Sequence, residues 1–183
     1  MSGDEPNATR RALGGALLAW PLLSTRTLAN TANDRVRVPA GEFIGIRTDG
    51  VCAFRGIRYG ADTSRSRFEP PRAAPTETNA VKAWLNGSVC PQRAKTNEIQ
   101  NEDCLCLNIW TTALDVRAKK TVMVYIHGGA YGNGSGNDPL TDGAALAISG
   151  DVVVVSITHR LNVFGYLSLA RLDPRFPDSG NAG

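Results

Sequence analysis

Val122-Met123-Val124-Tyr125-Ile126-His127-Gly128-Gly129-Ala130-Tyr131 passes from an unbroken apolar run through His127 into a glycine pair, and glycines recur at Gly132, Gly134 and Gly136. The run is rich in β-branched residues and shows little alternation, which predicts a strand buried on both faces. Val152 to Thr158 has the same character. Between the two, Asp142 to Ser149 carries Ala144, Ala145, Leu146, Ala147 and Ile148, a pattern that suits a short helix. Strand, glycine-rich turn, helix, strand is the grammar of an α/β fold.

Working outward, Gly41 to Tyr59 reads as a hairpin. Phe43, Ile44 and Ile46 lead into Thr48-Asp49-Gly50, and Val51, Ala53 and Ile57 lead out. Asp-Gly between apolar runs favours a tight turn, because glycine tolerates the positive φ such turns need. Pro70, Pro71 and Pro75 make Arg65 to Thr78 a loop. Cys104 to Trp110 is a further candidate strand.

Composition bounds the class. The 183 residues are 42% hydrophobic and 20% charged, which excludes a disordered, collagen-like or coiled-coil chain. The net charge of +3 is mild, and the arginines (Arg47, Arg55, Arg58, Arg65, Arg67, Arg72) are spread out. Nucleic-acid binding therefore has no specific support. With two histidines, His127 and His159, and four cysteines without a Cys-x-x-Cys pair, a Cys/His zinc site is excluded.

Residues 1–32 read as an address. Arg10-Arg11 precedes the weakly apolar run Gly14 to Leu23, as in a twin-arginine export signal, and Ala29 and Ala32 offer cleavage points. The run is too short for a stable membrane span, which takes about 20 apolar residues. Export to the periplasm or outside the cell is the expectation. An N-terminal arm on a cytoplasmic protein is the alternative.

Glycines leaving a buried strand let the backbone bend and bring amides close to a ligand. Two successive N–H groups aimed at one point can stabilise the oxyanion of an acyl-transfer intermediate, and losing one such donor costs about 3–4 kcal/mol. No Gly-Lys-Ser/Thr follows, which argues against a phosphate loop.

Taken together, these stretches resemble the type-B carboxylesterase family, the α/β-hydrolases that include para-nitrobenzyl esterases and cholinesterases. His127 to Tyr131 is similar to the family's oxyanion-hole loop. Glu102-Asp103-Cys104-Leu105-Cys106-Leu107-Asn108-Ile109-Trp110 is similar to its second signature, with Cys106 and Thr112 as departures. Phe54-Arg55-Gly56-Ile57-Arg58-Tyr59 resembles the early hairpin motif. Arg67-Phe68, Pro70-Pro71 and Trp84 are further landmarks, and Arg160-Leu161 through Phe164-Gly165-Tyr166-Leu167 and Gly180-Asn181 continue in register. His159 stands where the family often has Tyr.

The resemblance implies an α/β-hydrolase fold over residues 33–183: the N-terminal hairpin plus the first strands of a central, mostly parallel sheet, incomplete on its own. It implies a serine esterase acting on small carboxylic esters through an acyl-enzyme, without a cofactor or metal. Gly129 and Ala130 would supply the oxyanion N–H groups, with Gly128 shaping the turn. Cys90 and Cys104 would form the family's first disulfide, and Arg67 with Glu102 a structural ion pair. Residues 91–103 hold no aromatic, so they build no quaternary-ammonium box.

The family order is Ser, acid, His, so His127 and His159 precede any nucleophile and are expected to be structural. No Gly-x-Ser-x-Gly occurs, and the glycines around Ser135 stand at the wrong offsets. The isolated chain is therefore expected to be an inactive portion of an esterase, with Val122 to Ile126 and Val152 to Val155 left as open apolar edges, and so poorly soluble or molten. A non-catalytic binding or adhesion module and a non-functional remnant are the alternatives. The motifs carry nothing on oligomeric state or on which ester is cleaved.

Overall fold

Asp49 and Gly50 both take positive φ, 49° and 85°, and so fold β2 (Gly41–Thr48) back on β3 (Val51–Arg58) with Thr48 opposite Val51. This is the hairpin read from the sequence. The computed structural model describes residues 32–183. The export-signal reading lies outside these residues except at Ala32, where β1 (Ala32–Val38) begins.

The remaining strands are β4 (Val81–Lys82), β5 (Cys106–Thr111), β6 (Val122–Ile126) and β7 (Val153–Ile157). They join one sheet in the order β1-β2-β3-β5-β7-β6, with β4 lying on β2. Within the described residues the sheet is mixed. Pairing is antiparallel from β1 through β7, and only β6 on β7 and the short β4 on β2 run parallel. The mostly parallel part of the expected sheet is thus represented here by one full pair.

The hairpin is split open on purpose. Beyond Phe54, β3 bulges away toward β5, Arg55 N–H donates to Ala83 O at 2.8 Å, and β4 fills the gap beside β2. Gly56 sits in the bulge at φ 67°, where a Cβ would meet Leu85 O at 2.6 Å, so only glycine fits.

Two apolar clusters flank the sheet. Phe43, Cys52, Phe54 and Ala83 form one. Val51, Trp110, Ala147 and Val154 form the other, with Ala147 supplied by α1 (Ala144–Ser149). A third, of Cys90, Cys104 and Leu161 with Phe164 packed against it, ties the loop before β5 to α2 (Asn162–Tyr166).

β6, whose composition suits burial on both faces, is an open apolar edge, as expected of these residues. Every residue of β6 is exposed, from 44% at Tyr125 to 63% at Ile126. It occupies the sheet edge, and no described helix lies across it. β7, one place inward, alternates half-buried and buried residues.

Candidate active site

The turn after β6 is built by backbone strain. Gly129 has φ 124°, and Ala130 and Tyr131 take left-handed values of 51° and 61°. A Cβ on Gly129 would stand 1.9 Å from Asn133 O, whereas one on Gly128 would meet nothing within 4 Å. The tight turn expected at Gly128 is therefore made one residue later. Gly129 O closes it by accepting from Gly132 N–H at 3.0 Å and Asn133 N–H at 3.2 Å.

The amides of Gly129 and Ala130 donate to no acceptor among the described residues. Both residues, with Gly128, line a cavity of about 660 Å³ whose other walls include Tyr59, His159 and Tyr166. Two consecutive unpaired amides on a cavity wall have the chemistry needed to receive an oxygen that gains negative charge.

The far side of the turn is stitched to the sheet by polar groups that the sequence reading missed. Gln92 accepts from Gly134 N–H at 2.9 Å and donates to Gly134 O at 3.0 Å. Gly136 N–H donates to Thr158 Oγ1, and Gly136 O accepts from Ser156 Oγ at 2.7 Å and from Asn108 Nδ2 at 3.3 Å. Asn108 and Ser156 are buried polar residues inside apolar strands, which was the available signal: such groups persist where their hydrogen bonds are made. Ser135, at the wrong offsets for a nucleophile, donates to Glu98 Oε1 at 2.9 Å and caps Asn137 N–H.

His127 is 8% exposed and stacks on His159, with ring centroids 4.4 Å apart. Its Nδ1 lies 2.8 Å from Gly128 O, and His159 Nδ1 lies 2.8 Å from Arg160 O. A carbonyl only accepts, so each Nδ1 carries the proton. His127 Nε2 is left buried without a partner among the described residues. Burial holds His159 below its ordinary imidazole value, and the neighbouring His127 adds to this.

Arg67 and Glu102 meet side-on. Arg67 Nε lies 2.6 Å from Glu102 Oε2, and Arg67 Nη2 pairs with Oε1. The same guanidinium covers the Phe164 ring at 5.7 Å. The pair thereby joins the loop before β5 to α2.

The bridge implied for Cys90 and Cys104 is not formed in this structure: all four cysteines are free and buried. Joining two thiols requires an oxidant to remove their hydrogens. The two residues nevertheless pack together in one buried cluster. Cys104, donating to Cys90, holds the Cys90 thiol below its ordinary value, helped by Leu161 N–H at 3.0 Å, while the same bond and burial push Cys104 up. Burial pushes Cys52 up to about 12 and Cys106 up to about 11. Beside the pair lies Arg160, 1% exposed, whose three guanidinium nitrogens find no partner among the described residues. No cluster of three or more metal-ligating side chains, and no helix long and apolar enough to cross a membrane, occurs among the described residues.

A hairpin entering a mixed sheet whose parallel strand opens into a strained glycine turn defines the class: the described residues have the fold of the α/β-hydrolase esterases. The chain belongs to the carboxylesterase family, whose family model matches residues 32–183. It is 35% identical over 148 residues to the para-nitrobenzyl esterase of Bacillus subtilis (strain 168), covering 76% of this chain and 30% of that one. It is 38% identical over 150 residues to acetylcholinesterase-1 of Trittame loki, covering 73% and 27%. Among solved structures, the Geobacillus stearothermophilus carboxylesterase superposes with a TM-score of 0.76 at 38% identity, covering 81% of this chain and 31% of that one. An esterase from Clostridium hathewayi that can hydrolyze aliphatic aromatic polyesters gives 0.77 at 37% identity, covering 85% and 33%. The chain spans about 30% of the length of these relatives.

Proposed function

We propose that residues 32–183 form the oxyanion-binding wall of a serine carboxylic ester hydrolase. In this reading, Gly129 and Ala130 N–H groups receive the carbonyl oxygen of a small ester as it becomes tetrahedral. The nucleophilic serine, its acid and its histidine are supplied by residues other than these 183, which contain no Gly-x-Ser-x-Gly. On these residues alone, ester turnover is absent. The observation that carries the reading is the pair of unpaired consecutive amides on the cavity wall. Family membership supports the reaction class.

The test is a chimera in which residues 32–183 replace the matching stretch of the Bacillus subtilis para-nitrobenzyl esterase. The expected result is hydrolysis of p-nitrophenyl esters. Replacing Ala130 by lactic acid through nonsense suppression removes one N–H with little change of shape, and kcat should fall about 10²- to 10³-fold. Undiminished turnover in that variant would remove Ala130 from the oxyanion site.

Export and oxidation belong to the same proposal. Residues 1–32 carry the chain out of the cytoplasm, and there Cys90 and Cys104 join. Their adjacency and the Arg10-Arg11 pair support this. A reporter fused to residues 1–32 that stays cytoplasmic in a host with twin-arginine transport would overturn the export step.

A further inference from the structure

The glycine turn is gripped at both ends by rings from one short segment. His159, just after β7, stacks on His127 at 4.4 Å with 13° between the planes. Tyr166, at the end of α2, meets His159 edge-on at 6.4 Å and Tyr131 at 4.7 Å. His127 and Tyr131 are the first and last residues of the His127–Tyr131 turn. The circuit therefore runs from the turn to His159, to Tyr166 and back to the turn. A main-chain bond reinforces it, Asn162 N–H donating to Tyr131 O at 2.6 Å.

We infer that His159, Tyr166, His127 and Tyr131 form a four-ring clamp that fixes the glycine turn, with His159 as the positioning residue that sets the direction of the Gly129 and Ala130 amides. Its bearing on ester cleavage rests on the function proposed above; the clamp itself does not. A fastening of this kind is needed because Ala130 and Tyr131 hold left-handed φ values that a non-glycine residue leaves when unrestrained.

The clamp has a built-in chemical sensitivity. The stack sets two imidazoles face to face. The polar side chains beside the stack are Tyr59, whose hydroxyl donates to Thr158 O at 2.9 Å, and Tyr166, whose hydroxyl lies 3.4 Å from His159 Nδ1. Among the described residues, no Asp or Glu side chain lines the cavity. A proton added to His159 therefore places a cation, half-buried, against a second imidazole, with no carboxylate among the cavity-lining residues to receive it. Protonation should open the stack and release the turn.

The chain has two histidines, so a pH titration followed by nuclear magnetic resonance reads both without ambiguity once one variant assigns them. The experiment uses the full 183-residue chain, at a concentration where sedimentation gives a monomer. The expected result is that the Gly128, Gly129 and Ala130 amide signals shift in step with the His159 imidazole, at a midpoint below the ordinary value of 6.5. His159→Phe keeps a ring but cannot titrate; it should preserve the neutral-pH positions of those amides and abolish their pH step. His159→Ala should displace them at every pH. Amides that ignore the His159 titration, or that stay in place in His159→Ala, would overturn the clamp. Should either variant fail to fold, the wild-type titration decides alone. An inactive chimera would sink the hydrolase reading while leaving these shifts untouched, so the two failures are distinguishable.

Discussion

The side-chain amide of Gln92 pairs with both main-chain groups of Gly134, accepting from its N–H at 2.9 Å and donating to its C=O at 3.0 Å. One side chain thus does what a neighbouring strand does in a sheet. It holds the second half of the glycine segment, whose backbone at Gly134 takes φ 119° and leaves no room for a Cβ beside His127. Removing Gln92 strands a half-buried donor and acceptor together. Gln92→Leu should destabilise the chain by about 1–3 kcal/mol, as expected for groups left unsatisfied, and Gln92→Glu should not restore it, because a carboxylate oxygen in place of Nε2 would face the Gly134 and Cys90 carbonyls acceptor to acceptor. Urea unfolding of the three proteins measures this. Equal stability of Gln92→Leu and the parent would show that water replaces the side chain without loss.

Gly128 and Gly129 are adjacent in sequence and opposite in tolerance. Gly129 has both a forbidding φ and an Asn133 carbonyl where a Cβ would go; Gly128 has neither. Gly129→Ala should destabilise the chain by on the order of 2 kcal/mol or more, because a strained φ and a backbone clash act together. Gly128→Ala should stay within about 0.5 kcal/mol of the parent. Thermal melts of the two variants side by side give the comparison, and a reversed order would mean that the turn has another conformation in solution.

Much of the architecture was legible because local chemistry forced it. Asp49-Gly50 could only turn, the prolines from Pro70 to Pro75 could only loop, and the apolar runs at β5, β6 and β7 could only be strands. Burial was legible only from the chain as a whole. Val122 to Ile126 has the composition of a doubly covered strand, and its exposure followed from what the 183 residues leave uncovered rather than from its own side chains. The site divides in the same way. The glycine turn announced itself, whereas Gln92, Tyr166 and Arg160 act over separations that only the fold closes. Asn108 and Ser156 were visible as polar interruptions of apolar strands, and their partners were not.

The cysteines differ in reactivity by position. Cys90 is held below its ordinary value first by the Cys104 hydrogen bond, then by Leu161 N–H and by Arg160, against the opposing effect of burial. Cys52 and Cys106 are pushed up to about 12 and about 11 by burial. The thiolate is the reacting form, so Cys90 should react first and Cys104, its buried neighbour, should resolve it. A mild disulfide oxidant should therefore produce one Cys90–Cys104 bridge, seen by peptide mapping, and leave Cys52 and Cys106 reduced. Closing a loop of about 15 residues should add on the order of 3 kcal/mol and raise the melting temperature, an effect reversed by dithiothreitol. A bridge involving Cys52 or Cys106 would contradict this ordering.

Arg160 presents the opposite situation to Arg67. Arg67 meets Glu102 side-on at the surface, whereas Arg160 is 1% exposed and its Nε, Nη1 and Nη2 have no hydrogen-bond partner among the described residues. Burial accordingly pulls its pKa down from the ordinary arginine value, and Cys104, Cys90, Tyr59 and Tyr166 offer only weak relief. A buried cation without a partner costs more than an apolar side chain of similar length, which loses no hydration on burial. Arg160→Met should therefore leave the 183-residue chain as stable as the parent or more so, by up to about 4 kcal/mol. Arg160→Ala should lie below Arg160→Met, because it adds a cavity beside Leu161 and Cys90. Chemical denaturation of the three proteins separates charge from volume. If Arg160→Met proves the least stable of them, the guanidinium is satisfied in solution and its charge is part of what holds the Cys90–Cys104 corner together.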